Sequence, residues 1–292
     1  RQMCIRDRVM QCYAWQEEIP VIVISAAEDT RSVERAYDMG VADYIRRPFE
    51  RVMVLRRVKN ALMLYAKQKR LTRLVTDQVY EKEHNGVLMI SILSHVVEFR
   101  NSESGQHVLH IRTLTGLLLH QLAQKTDRYQ LDESDISLIS TASALHDIGK
   151  IMIPEEILNK PGRLTEEEYA AIKTHTTEGA RILKGLAIGQ DEPLVKVAHA
   201  ICRWHHERYD GSGYPDQLVG EQIPIAAQVV GLADAYETLT TGSGSQPPVP
   251  CAAAVQMLCT GEAGAFNPVL LDCLREIENE IDDAMRRRPE TL

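Results

Sequence analysis

The chain has 292 residues, 44% hydrophobic and 25% charged, with a formal charge of −8 at pH 7. Those values fit a globular protein of about two ordinary domains. The acidic balance excludes a broad surface for a nucleic-acid polymer, while a phosphorylated small molecule can still be held by local cations. No apolar run approaches the ~20 residues that cross a bilayer, so no membrane association is expected. Nothing resembles a signal peptide, and the six cysteines form no CxxC pair. Reduced thiols in the cytoplasm are the expectation.

Residues 1–12 carry no usable pattern. Ile19 to Ser25 is β-branched and apolar on both faces, the pattern of a buried parallel strand. Asp29 or Thr30 caps a short helix that stops at Gly40, and Ala42 to Ile45 reads as a second strand before Arg47-Pro48-Phe49. From about Glu50 to beyond Tyr65, Val52, Leu55, Val58, Leu62 and Tyr65 recur at helical spacing. This stretch resembles the C-terminal half of a response-regulator receiver domain. Ser25 stands at that family's switch hydroxyl position, and Arg47 replaces the usual lysine before proline. The resemblance covers residues 1–64 and puts the family's phosphoacceptor aspartate upstream of Arg1.

Residues 65–85 are polar, with Leu71, Leu74, Val75 and Val79 about a helical turn apart. So narrow a stripe predicts a connecting helix that pairs with a second copy into a homodimer; a lone solvated helix fits nearly as well. From 86 to 292 the chain reads as helix upon helix, near 86–99, 107–125, 134–148, 165–185, 193–206, 224–241, 252–259 and 268–287. Thr165 and Glu168 form a capping box, and Pro193, Pro224 and Pro268 suit first-turn positions. Residues 207–222 and 242–250 are rich in Gly, Pro, Ser and Asp and read as loops. The predicted class is mainly α, preceded by a truncated α/β segment.

The chemistry centres on Ala144-Leu145-His146-Asp147-Ile148-Gly149-Lys150. An imidazole beside a carboxylate suits Fe, Mn or Zn, and further candidate ligands lie along the helical part. Glu103 and His107 are four apart at the opening of a helix, His175 lies within the helix begun by Thr165, His205-His206-Glu207 ends another, and Asp234 sits in Leu232-Ala-Asp-Ala-Tyr236. So many histidines and carboxylates on apolar helices exceed what buried polar residues ordinarily supply. Helical bundles that aim such side chains inward build multi-metal centres.

The order His, His-Asp, Asp resembles the HD superfamily of metal-dependent phosphohydrolases. His175, His205-His206 and Gly211-Ser-Gly213-Tyr214-Pro215 narrow the resemblance to the HD-GYP family, the cyclic di-GMP phosphodiesterases of bacterial signalling. The resemblance implies that His107, His146, Asp147, His175, His205, His206 and Asp234 bind two divalent metals, Fe or Mn, with Asp147 bridging. Glu103 matches a ligand of a third ion in members that have one, and Lys150 the lysine that reaches the phosphate. The implied reaction opens cyclic di-GMP to linear pGpG, with or without a further step to GMP. Two other readings stand beside it: the same chemistry on another cyclic dinucleotide or nucleotide, and a regulatory binder with little turnover.

His84 and His120 read as solvated, His95 and His199 as hydrogen-bonded in or beside the core. His110, one turn past His107, is a candidate support for the ligands, as are Asp210 and Tyr214 in the glycine-rich loop. Arg286-Arg-Arg288 reads as a helix terminus favoured by the dipole. After Asp234 the family continues into a basic, tyrosine-containing stretch that contacts the substrate, but residues 242–250 contain neither Arg nor Lys. Losing a charge-assisted bond to phosphate costs about 1.5–3 kcal/mol, or roughly ten- to more than a hundredfold in binding.

Overall fold

The structure, a computed structural model, describes residues 19–26, 30–100, 106–187, 189–242 and 247–286. The chain divides into two units, Arg1–His84 and Asn85–Leu292, each with its own apolar cluster.

In the first unit β1 (Ile22–Ser25), α1 (Thr30–Asp38) and β2 (Asp43–Arg46) follow one another, and the strands pair in parallel from Ile22 opposite Asp43 to Ser25 opposite Arg46. A parallel pair needs a crossover, and α1 supplies it. Its Ala36 packs with Val41 and Tyr44, and Val21, Val23 and Val33 lie at the edge of that cluster. The expectation that β1 is buried on both faces is not met: Ile24 is 42% exposed, because the sheet among the described residues has two strands and one covering helix.

Three helices predicted between 50 and 99 are one helix, α2 (Arg51–Arg100). Gly86 does not interrupt it. A mid-helix glycine costs only about 1 kcal/mol relative to alanine, which long helical segments on both sides can absorb. Leu71, Leu74 and Val75 are 62%, 48% and 59% exposed. Near its C-terminal end α2 buries Ser94, Val97 and Glu98, and the Ser94 hydroxyl donates to Ala144 O at 2.6 Å. That face excludes His95, which is exposed and not a core residue as expected.

The second unit is helical. Its helices are α3 (Gln106–Lys125), α4 (Glu133–Ser143), α5 (Glu155–Leu158), α6 (Glu166–Lys173), α7 (His175–Lys184), α8 (Pro193–Trp204), α9 (Ile225–Thr241), α10 (Cys251–Thr260), α11 (Pro268–Glu276) and α12 (Glu278–Arg286). At the centre lie α3, burying Ile111, Leu114, Leu118, Leu119 and Leu122, and α9, burying Val229, Val230, Leu232, Ala233 and Tyr236. They pack on each other, with α4 against α3 and α8, and α7 against α8.

Three predicted helices end early or divide. The one expected over 134–148 stops at Ser143; a turn carries His146 and Asp147 into a 3-10 segment, Ile148–Met152. The path must tighten there, because a Cβ on Gly149 would lie 1.9 Å from His175 O. The helix expected over 165–185 divides at Thr174. Four successive side chains, Thr174, His175, Thr176 and Thr177, bond carbonyls three residues back, and such local bonds compete with helix continuation. The helix expected over 268–287 divides at Ile277, whose non-helical backbone (φ −104°, ψ 14°) keeps it and Ile281 buried.

Candidate metal centre

The ligand candidates arrive from different elements. His107 is in the first turn of α3, His146 and Asp147 follow α4, His175 stands at the α6–α7 junction, His205 and His206 follow α8, and Asp234 lies in α9. They form two groups, Asp147 with His175, His205 and His206, and His107 with His146 and Asp234; within each, one ligand atom per residue lies within 4.8 Å of the others. Asp147 joins them. Its Oδ1 is 3.2 Å from His175 Nε2 and 3.8 Å from His205 Nε2, and its Oδ2 is 3.3 Å from His146 Nε2.

Three of the histidines are held by their other nitrogen. Nδ1 of His146 donates to Ser143 O at 2.9 Å, that of His175 to Ile172 O at 2.7 Å, and that of His205 to Ile201 O at 2.9 Å. A carbonyl only accepts, so it fixes the proton on Nδ1 and leaves Nε2 as the lone-pair atom of the neutral ring. Those Nε2 atoms crowd together: His175 and His205 are 3.4 Å apart, as are His107 and His146. Nitrogen lone pairs facing one another at that range repel unless a proton or cation lies between them. Asp147 Oδ1 is buried and makes no hydrogen bond, which is costly for a carboxylate oxygen that has lost its water. Nitrogen donors and an orphaned carboxylate oxygen around one point fit divalent transition metals.

Glu237, which the sequence reading passed over, is the carboxylate partner in this arrangement. Three residues after Asp234 on α9, it is nearly fully buried, with Oε2 2.8 Å from His107 Nδ1 and Oε1 3.3 Å from His110 Nδ1. The spacing from Asp234 was the available signal, since i and i+3 share a helix face. His110 stands beside His107, joined to it through Glu237.

Two glycines let the backbones close in. Gly149 abuts His175, and a Cβ on Gly231 would lie 2.2 Å from His205 O. Glu207 fixes the loop that follows, accepting the backbone N–H of Asp216 at 2.7 Å and of Leu218 at 3.0 Å. Tyr214 stacks on His206 with ring centres 4.9 Å apart. Asp210 does not support the ligands as expected: it is exposed and accepts from Ser212 N and Oγ, closing its own turn.

Burial opposes ionisation of Asp147, but Lys150 and His146 outweigh it and hold the carboxyl well below the ordinary range. Lys150 Nζ is 2.7 Å from Asp147 Oδ2. Burial, reinforced by neighbouring histidines, pushes His205 and His206 well below 6.5, so both are neutral at pH 7. At His107 burial also disfavours the charge, yet the Glu237 bond and Asp234 raise it to about 9. An attracting field for a proton on that ring is equally one for a metal cation.

Glu103 lies outside the described residues, as do residues 243–246 and Arg287-Arg288 of the C-terminal run. His84 and His120 are exposed, and His199 is partly buried with its ring edge-on to Trp204 at 6.3 Å. Among the described residues no helix is long and apolar enough to cross a membrane.

Residues 88–268 match the HD domain family. A cyclic di-GMP phosphodiesterase of Thermotoga maritima is 30% identical over 281 residues, covering 91% of this chain and 73% of its own. The cyclic di-GMP phosphodiesterase response regulator RpfG of Xanthomonas campestris is 33% identical over 267 residues, covering 88% and 67%. Among solved structures, a cyclic GMP-AMP specific phosphodiesterase of Vibrio cholerae superposes with a TM-score of 0.50 at 18% identity, over 69% of this chain and 51% of that one. The chain belongs to the HD domain family, in its HD-GYP branch.

Proposed function

We propose that the chain is a metal-dependent phosphodiesterase that opens cyclic di-GMP to linear pGpG and carries it on to GMP. The observation that supports this most is Asp147, largely buried, with one oxygen toward His175 and His205 and the other toward His146. On this reading His107, His146 and Asp234 hold one ion, His175, His205 and His206 the other, and Asp147 both. Glu103 belongs to a third ion where one binds. Iron or manganese suits the mixture of imidazole and carboxylate. Bound metals supply a hydroxide at neutral pH and a clamp for phosphate oxygens.

The chain's own groups do the rest. Backbone carbonyls and Glu237 keep the histidine rings oriented, so little reorganisation accompanies binding. Lys150, already facing Asp147, places a positive charge beside the reacting phosphate as charge builds there. Tyr214 walls the pocket at His206. The exposed Leu71, Leu74 and Val75 stripe of α2 pairs with the same stripe of a second copy.

The test is hydrolysis by purified, metal-loaded protein of cyclic di-GMP and 3′3′-cyclic GMP-AMP, with products identified by mass. Expected is metal-dependent appearance of pGpG and then GMP, abolished in Asp147→Asn. Cyclic di-GMP left intact by fully loaded protein would refute the assignment.

A further inference from the structure

Resting on that reading of the substrate, we propose that Arg208 holds the second, non-reacting phosphate of the cyclic dinucleotide. Such a substrate carries two phosphodiesters, and the metal centre with Lys150 engages one. The other brings a negative charge that needs its own cation, and the 242–250 segment has none to offer.

The cations around the centre are differently committed. Lys150 faces Asp147 at 2.7 Å. Arg203 is bound bidentately by Asp216, at 2.7 and 2.8 Å. Lys173 Nζ lies over the rings of Tyr169 and Tyr214, 4.6 and 5.0 Å from their centres. Arg208 follows directly on His205-His206-Glu207 and, among the described residues, has no carboxylate within 4.0 Å. Its guanidinium donates one bond there, from Nη1 to Glu207 O at 3.3 Å.

Arg208 is nonetheless firmly placed. Its Cζ sits 4.8 Å from the centre of the Phe266 ring. Gly264, at φ 110°, comes so close that a Cβ there would lie 2.7 Å from Arg208 Nε. Tyr209 N bonds Ala265 O at 2.9 Å and ties the two segments together. A guanidinium held by an aromatic ring keeps its planar fork of N–H donors for a phosphate, a geometry that lysine cannot reproduce. Arg208 stands two residues past His206, whose ring stacks on Tyr214.

The experiment compares cyclic di-GMP with bis(p-nitrophenyl) phosphate, which has a scissile diester and no second phosphate. Arg208→Gln is expected to lose about ten- to a hundredfold more kcat/KM on the dinucleotide than on the small diester, chiefly through KM. Arg208→Lys, which keeps the stem and the charge, should lose less in the same direction, and it carries the test if the Gln variant fails to fold. Equal losses on both substrates, or no loss on either, overturn the assignment of Arg208 while leaving the phosphodiesterase reading standing. Wild-type protein that cleaves the small diester but no cyclic dinucleotide overturns the substrate reading, and this assignment with it.

Discussion

Replacing Glu237 by Gln tests whether a residue that is not a ligand sets the strength of the metal centre. The substitution keeps the shape and removes the charge. In the native protein the carboxylate is 6% exposed and accepts from His107 Nδ1 at 2.8 Å and from His110 Nδ1 at 3.3 Å. A hydrogen bond to a buried charge contributes about 1.5–3 kcal/mol, and here solvent screens little of it. The 3.3 Å contact is longer and adds less. A Gln carbonyl still accepts from His107, so the loss is the charged share of one bond, about 1–2 kcal/mol on that scale. That predicts apparent metal affinity falling about five- to thirtyfold, within the range seen when a ligand's carboxylate partner is removed. Competition against a fluorescent chelator measures the affinity, and thermal melting of metal-free protein measures stability separately. Affinity unchanged within about twofold would show that the Glu237–His107 bond does not tune the site.

Other perturbations follow from the same geometry. Gly149→Ala puts a Cβ against His175 O and Gly179 N; both are backbone, so about 3 kcal/mol of stability, the upper end for overpacking, should be lost, read by denaturant melts. Gly86→Ala meets nothing within 4 Å and should stabilise by about 0.5–1 kcal/mol; a lowered midpoint would contradict a continuous α2. Asp147→Asn should lose both ions together by elemental analysis, and retention of one full equivalent would argue against a bridge. With α2 paired as proposed, the protein should scatter light as a dimer and Leu71→Glu as a monomer, and an unchanged mass would count against that pairing.

Much of this architecture was readable because periodicity and caps are local. Thr165 and Glu168 form the expected capping box, and Asn267 caps α11 through Val269 N. Local signals failed where tertiary contacts decide. No residue type near Ser143 announces the end of α4; Ser143 Oγ bonds Ser140 O, His146 Nδ1 bonds Ser143 O, and Gly149 comes up against His175 from a distant part of the chain. Thr174 breaks a helix through bonds whose residue types are unremarkable one at a time. At the centre, the sequence pointed to residues with ligand chemistry, and the described ones converge. It did not point to Glu237, whose role depends on the packing of α9 against α3, nor to Asp210's turn-closing bonds, which separate it from the ligands.

The C-terminal ends of α4 and α8 carry a consequence for the order of binding. His146 and His205 stand just past helix C-termini, at Ser143 and Trp204, where the aligned peptide dipoles give each helix a partial negative charge of about half a unit. At His175 the end of α6 meets the start of α7, and the two dipoles offset one another. Asp147, Asp234 and Glu237 lie close by, but Lys150, Arg208 and a His107 raised to about 9 offset them, so the metal-free cavity has little net charge with which to draw in a phosphodiester. Divalent cations make it positive. The protein is therefore built to load metal first and substrate second, and metal-free protein should retain no cyclic di-GMP in equilibrium dialysis.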